Sequence, residues 1–181
     1  MTEPTVQDVT AAWSVIGEKD HQLVAPDWSP SEPVEITGVA TMAIANVLTD
    51  TGCLTEIWRR DWGLDRLPVD QVFQRTLAKG AATDWHAHAT TTDRLFCATG
   101  RLRLALYDAR MASPSHGRVA VLRLGTERPA VIVVPPGVWH GVRNVGEDTA
   151  LYLNVVDRAY DYAEPDNYRL PHDTPLISVH V

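Results

Sequence analysis

In "RLRLALYD", Arg101 to Asp108, leucines at 102, 104 and 106 alternate with Arg101, Arg103 and Ala105. A period of two is the mark of a strand with one face buried. Eight further short runs share its β-branched or leucine-rich character: "VEITGV", "AIANVL", "CLTEIW", "QVFQRTLA", "RLFCAT", "RVAVLRL", "AVIVV" and "ALYLNVV". Turn residues separate them, with little room for helix between. The pattern predicts an all-β domain, a small double-sheet antiparallel β-barrel or jelly roll. Ahead of the strands, Thr5-Val6-Gln7-Asp8 has capping-box form, Val6, Val9, Trp13 and Ile16 follow at helical spacing, and Gly17 can end the helix. "APDWSPSEP", Ala25 to Pro33, carries three prolines and reads as a linker. The expected organisation is a short N-terminal helix and proline-rich linker over 1–33, then the barrel over 34–181. The barrel closes with the tail "DYAEPDNYRLPHDTPLISVHV", which is irregular and wraps over it.

Composition narrows the function classes. A chain of 181 residues, 45% hydrophobic and 22% charged, is ordinary for one globular domain. No apolar run reaches the roughly 18 residues of a membrane span, and no basic-then-apolar leader opens the chain. A cytoplasmic protein is the expectation. A formal charge of −7 speaks against nucleic-acid and anionic-membrane partners, which reward basic surfaces. Cys53 and Cys97 read as reduced core residues. There is no Gly-x-Gly-x-x-Gly or Walker loop, and lysine occurs only at Lys19 and Lys79, neither with a Schiff-base setting.

The chemistry gathers in two stretches. In "GAATDWHAHATTTDRLFCATG", Gly80 to Gly100, His86 and His88 leave a strand from the same face, and Asp93 follows after four residues. In "VVPPGVWHGVRN", Pro135, Pro136 and Gly137 make a tight turn before His140, with Asn144 on the same face to support the ligands from behind. Neutral imidazoles and a carboxylate suit a divalent transition metal: iron, manganese, nickel, cobalt or zinc. Trp85 and Trp139 alternate away from this face and pack against a second sheet or a partner subunit, whereas Trp13, Trp28, Trp58 and Trp62 read as structural. His21, His116, His172 and His180 sit among loop residues and read as surface groups, as does Arg94. Asp157 reads as a turn or cap residue. Arg75 shares a face with Phe73 and Leu77, and is a candidate for binding an anionic substrate.

Gly80, His86-x-His88, Asp93 and Gly100 resemble the first cupin motif, and Pro135-x-Gly137, His140 and Asn144 the second. Aspartate stands where that motif usually has glutamate. "DTGCLTEIWRRDW", "RLRLALYDARMASPSHG", "VVPPGVWHG" and "VVDRAYDYAEPD" are similar to landmarks of the dTDP-4-dehydrorhamnose 3,5-epimerases, small cupins that move protons beside a sugar ketone without a metal. The resemblance runs from about residue 34 to the end. It implies a histidine base, a tyrosine acid and a lysine. The family's Arg-Gly-Leu-His is matched by Arg75-Thr76-Leu77-Ala78, its lysine by Asp93, and its Asp-x-Arg-Gly by Asp50-Thr51-Gly52. Tyr160 and Tyr162 remain in the region of the general acid.

A metal ion in place of the lysine makes these departures coherent. Three neutral histidines and one aspartate on a divalent ion leave about +1, with positions open for substrate. The expected function is metal-assisted enolisation of a small keto or hydroxy compound, sugar-derived, with Tyr160 or Tyr162 exchanging the proton. The alternatives are a metal-dependent dioxygenase on the same ligands, and a non-catalytic module binding a small molecule or metal. A homodimer is expected, paired through a strand-rich face.

Overall fold

The computed structural model describes residues 34–181 throughout, together with 13, 14, 17, 22 and 24–28. The helix expected over residues 5–16 lies outside the described residues. By internal contacts the chain divides into Met1–Pro33 and Val34–Val181, and the site lies wholly in the second unit.

That unit is built from twelve strands: β1 (Ala40–Ala43), β2 (Asn46–Thr49), β3 (Gly52–Thr55), β4 (Gln71–Leu77), β5 (Trp85–Ala87), β6 (Asp93–Thr99), β7 (Arg101–Asp108), β8 (Val119–Gly125), β9 (Ala130–Val134), β10 (Val138–Asn144), β11 (Ala150–Val156) and β12 (Tyr168–Leu170). One sheet runs β1-β9-β6-β11-β4, a second runs β12-β5-β10-β7-β8, and β2 pairs with β3 as a separate hairpin. All pairings are antiparallel. This is the all-β, double-sheet architecture that the alternating runs predict. Among the described residues no helix is long and apolar enough to cross a membrane.

The core explains why the alternation holds. Leu102, Leu104 and Leu106 of β7 enter the main apolar cluster with Leu95, Ile132, Val134, Val138 and Val142. On the opposite face of the same sheet, Trp85 and Ala105 pack with Ile177 and Val181 of the tail. The tail therefore covers Trp85, in place of the second sheet or partner expected for it. Gly141 makes room for this, since a Cβ there would sit 2.3 Å from a methyl of Val181.

Several expectations are corrected. "VEITGV" forms no strand: Gly38, at φ +83, turns the chain there, with Ile36 buried in the core and Val34 and Val39 packed against it. The tail supplies β12, too short to show a period. Cys53 is exposed on the β2–β3 hairpin, whereas Cys97 is buried. Arg94 is only 1% exposed. Its guanidinium grips Asp65, donates to the carbonyls of Leu67, Pro68 and Val155, and lies 4.6 Å from the centre of the Trp58 ring. A buried arginine is tolerable with every donor engaged in this way. Asn144 does not back the ligands: its amide donates to the carbonyls of Leu77 and Asp148, closing the turn beyond β10.

Candidate active site and metal centre

Three histidines are brought together by register as well as by face. β5 and β10 pair so that His86 lies directly opposite His140, and His88 follows two positions later. The ring nitrogens available as ligands in His86, His88 and His140 all lie within 4.8 Å of one another. Asp93 opens β6 in the facing sheet, and its Oδ2 is 3.2 Å from Nε2 of both His88 and His140. The three histidines thus cluster, and Asp93 stands beside two of them, His88 and His140.

Hydrogen bonding sets which ring atom faces into the cluster. Nδ1 of His86 meets the carbonyl of Asp84 at 3.1 Å, Nδ1 of His140 meets that of Val138 at 3.1 Å, and Nδ1 of His88 meets that of Asp166. A carbonyl only accepts, so each neutral ring carries its proton on Nδ1 and turns the Nε2 lone pair inward. Asn154 does the same for the carboxylate. Its Oδ1 accepts from the backbone N–H of Arg94, so its Nδ2 donates to Asp93 Oδ1, leaving Oδ2 toward the histidines.

Two buried atoms are left without a hydrogen bond, Asp93 Oδ2 and His140 Nε2, although they are 3.2 Å apart. Two lone pairs held at that distance repel unless a proton or a metal ion lies between them. An ion ligated by both satisfies each, and three imidazoles with one carboxylate suit a divalent transition metal.

Protonation follows the same geometry. Burial, reinforced by the neighbouring His140, pushes His86 well below the usual histidine range, so its ring is neutral. Burial opposes charge on His88, but the Asp93 carboxylate outweighs it and raises the pKa. Asp93 is likewise penalised by burial and is nevertheless held below the carboxylate range by His140 and His88.

The cluster forms one wall of a cavity of about 490 Å³. Arg75, Arg158 and Arg169 also line it, and among the described residues none of the three has an ion-pair partner. Phe73, Gln71, Asn167 and Thr91 complete the walls. Tyr160 lies at the mouth, 47% exposed. Tyr162 is 87% exposed and packs edge-on against Tyr160, outside the lining. Asp157 accepts the backbone N–H of Thr92, 65 residues away, so it ties the end of β11 to the entry of β6 in place of capping its own turn. His116, His172 and His180 are at the surface.

Two lining residues carry roles that the sequence reading missed. Tyr152 is 4% exposed and lies opposite Arg75 in the β4–β11 register. Burial raises its pKa, so the phenol keeps its proton. The signal was present: in "ALYLNVV" a period of two puts Tyr152 and Asn154 on the face of Ala150 and Val156, as polar groups among core residues. Asp166 is the other. Its carboxylate accepts from the backbone of Ala89, Thr90 and Thr91 and from both threonine hydroxyls. The placement of "RTLA" also changes one reading. Ala78 lies past the end of β4 and outside the cavity lining, while His86 on β5 presents an imidazole to the cavity.

Comparison with known proteins bears on the family and the fold. The family model described as dTDP-4-dehydrorhamnose 3,5-epimerase matches residues 33–180. The probable low-salt glycan biosynthesis epimerase Agl13 of Haloferax volcanii is 31% identical over 123 residues, covering 67% of this chain and 79% of that one. The spore coat polysaccharide biosynthesis protein SpsL of Bacillus subtilis is 29% identical over 145 residues, covering 78% and 93%. Among solved structures, the dTDP sugar isomerase of Desulfovibrio desulfuricans G20 shares the fold with a TM-score of 0.75 at 23% identity, covering 80% of this chain and 90% of that one.

Proposed function

The chain belongs to the dTDP-4-dehydrorhamnose 3,5-epimerase family and is an epimerase- or isomerase-like enzyme, and on that premise we propose that it inverts carbon beside the ketone of a nucleotide-diphosphate sugar with a divalent metal ion in its site. The observation that carries the metal is the unsatisfied pair Asp93 Oδ2 and His140 Nε2, set among imidazoles whose Nδ1 atoms are already engaged. His86, His88, Asp93 and His140 would hold the ion. Bound there, it would supply Lewis-acid polarisation of a carbonyl oxygen, a role that a lysine can fill only as a point charge.

The remaining residues bind substrate and handle protons. Three unpaired guanidiniums, Arg75, Arg158 and Arg169, suit the diphosphate, since charge-assisted bonds to phosphate are strong and directional. Tyr152, buried and protonated, is the group that returns a proton to the inverted carbon, and the proton removed beforehand passes to a carboxylate on the cavity lining, Glu164. Tyr160 closes the mouth, and Tyr162 backs it. A second copy of the chain would cover the exposed apolar side chains of the β2–β3 hairpin, Val47, Leu48 and Leu54, giving a homodimer.

One observation favours a second reading. His86 is neutral, with Nε2 turned to the cavity, and without an ion it can take the proton itself. The same experiment separates the two. Protein purified without chelator is analysed for metal, then mixed with a dTDP-4-keto-6-deoxy sugar in heavy water before and after chelation. Bound metal at about one per chain, with deuterium entry that chelation abolishes and metal restores, supports the first reading. Deuterium entry that is indifferent to chelation supports the second. No exchange under any condition removes both.

A further inference from the structure

Two of the three imidazoles are oriented by their own strands. His86 and His140 each place Nδ1 on the carbonyl two residues earlier, at Asp84 and Val138. Both bonds are local, spanning two residues of chain. His88 stands at the end of β5, where the strand has stopped, and its Nδ1 reaches a carbonyl 78 residues away, that of Asp166.

What holds that carbonyl in place is the side chain of the same residue. Asp166 Oδ1 accepts from the backbone N–H of Ala89, and Oδ2 accepts from the N–H and hydroxyl of both Thr90 and Thr91. The segment that receives this clamp begins one residue after His88. The segment that Asp166 belongs to, between β11 and β12, supplies Arg158, Tyr160 and Asn167 to the cavity.

We propose that Asp166 is a positioning residue that sets the ring orientation and tautomer of His88, tying the ligand set to the cavity wall that meets the substrate. The proposal rests on the metal reading only for its affinity readout. The carboxylate grips 89–91, the grip fixes the Asp166 carbonyl, and the carbonyl accepts a hydrogen bond from His88 Nδ1–H, which leaves the Nε2 lone pair free. Without the grip, His88 alone among the three loses its reason to keep that tautomer. Partners of this kind, one step behind a ligand, typically change metal affinity 10- to 100-fold when removed.

The test uses the full chain with Asp166→Ala and Asp166→Asn. The amide can keep four of the five bonds through one oxygen, so it should rescue most of what alanine loses. Two-bond proton–nitrogen spectra of the metal-free protein, recorded at a pH where the rings are neutral, are expected to show all three with the proton on Nδ1. In Asp166→Ala, His88 alone should move to a mixed or Nε2–H form. Affinity for cobalt(II) should fall roughly 10- to 100-fold in the alanine variant and less in the asparagine variant. An unchanged His88 spectrum in both variants overturns the proposal, as does loss of all three tautomers together, which is general unfolding. If alanine prevents folding, the asparagine variant decides alone by a partial His88 shift. If the wild type binds no cobalt, the metal reading has failed, and the spectra still decide this one.

Discussion

Exchange of Asn154 for aspartate tests the geometry of the site most directly. Asn154 is 3% exposed and Asp93 1% exposed, and the amide between them donates to Asp93 Oδ1 while accepting from Arg94 N–H. Asn154→Asp keeps the shape and the acceptor but replaces the donor with a second carboxylate. Two carboxylates about 4 Å apart repel by about 4 kcal/mol at an effective dielectric of about 20. The lost charge-assisted bond adds about 1.5–3 kcal/mol. The variant can escape by binding a proton, so its folded-state carboxyl pKa lies above the unfolded value of about 3.9. Destabilisation is therefore small at low pH, grows as pH rises above about 4, and levels off once the folded pair is fully ionised. Denaturant unfolding of metal-free wild type and variant between pH 4 and 8 measures it. A gap that widens with pH to several kcal/mol is expected. A gap independent of pH, or below about 1 kcal/mol at pH 8, would mean that Asn154 does not face Asp93 as described.

Metal affinity should rise with pH through the range above 6.5. The His88 pKa is raised in the metal-free protein by Asp93, and an ion must displace that proton. Calorimetric titration in buffers of different ionisation enthalpy should show proton release that fades at high pH; its absence at pH 6.5 would refute the linkage. The same raised pKa stabilises the metal-free fold below about 6.5, a contribution lost as pH rises through the folded value. Tyr152→Phe should lower kcat by roughly 10²–10⁴-fold with little change in KM, whereas Tyr162→Phe should leave both alone. Equal effects from the two would move the proton donor to the mouth. Arg169→Ala should raise KM for a nucleotide-diphosphate sugar about tenfold or more, as loss of one charge-assisted bond implies. An unchanged KM would place the diphosphate elsewhere. Leu104→Ala, at a site with no exposure, should cost about 2–5 kcal/mol in unfolding free energy.

The sequence alone was enough for whatever depends on neighbours along one strand. The period of two in β7 determined which leucines are buried. The same period put His86 and His88 on one face, whereas Asp93 and His140 reach them only through the facing sheet and the β5–β10 register. Which leucines are buried and which histidines share a face are local facts, because a strand's alternation needs no partner to exist. Only the tertiary structure decided which distant strands lie side by side. Asn154 meets Asp93 because β11 pairs with β6, and Tyr152 meets Arg75 because β11 pairs on its other edge with β4. Arg94 looked solvated from alternation alone and is buried because Asp65 and Trp58 close over the outer face of β6. Asp166 bonds across 75 to 78 residues of chain, through a segment with no period to read. Alternation says which way a side chain points; which atoms stand there to meet it depends on pairings that no single strand contains.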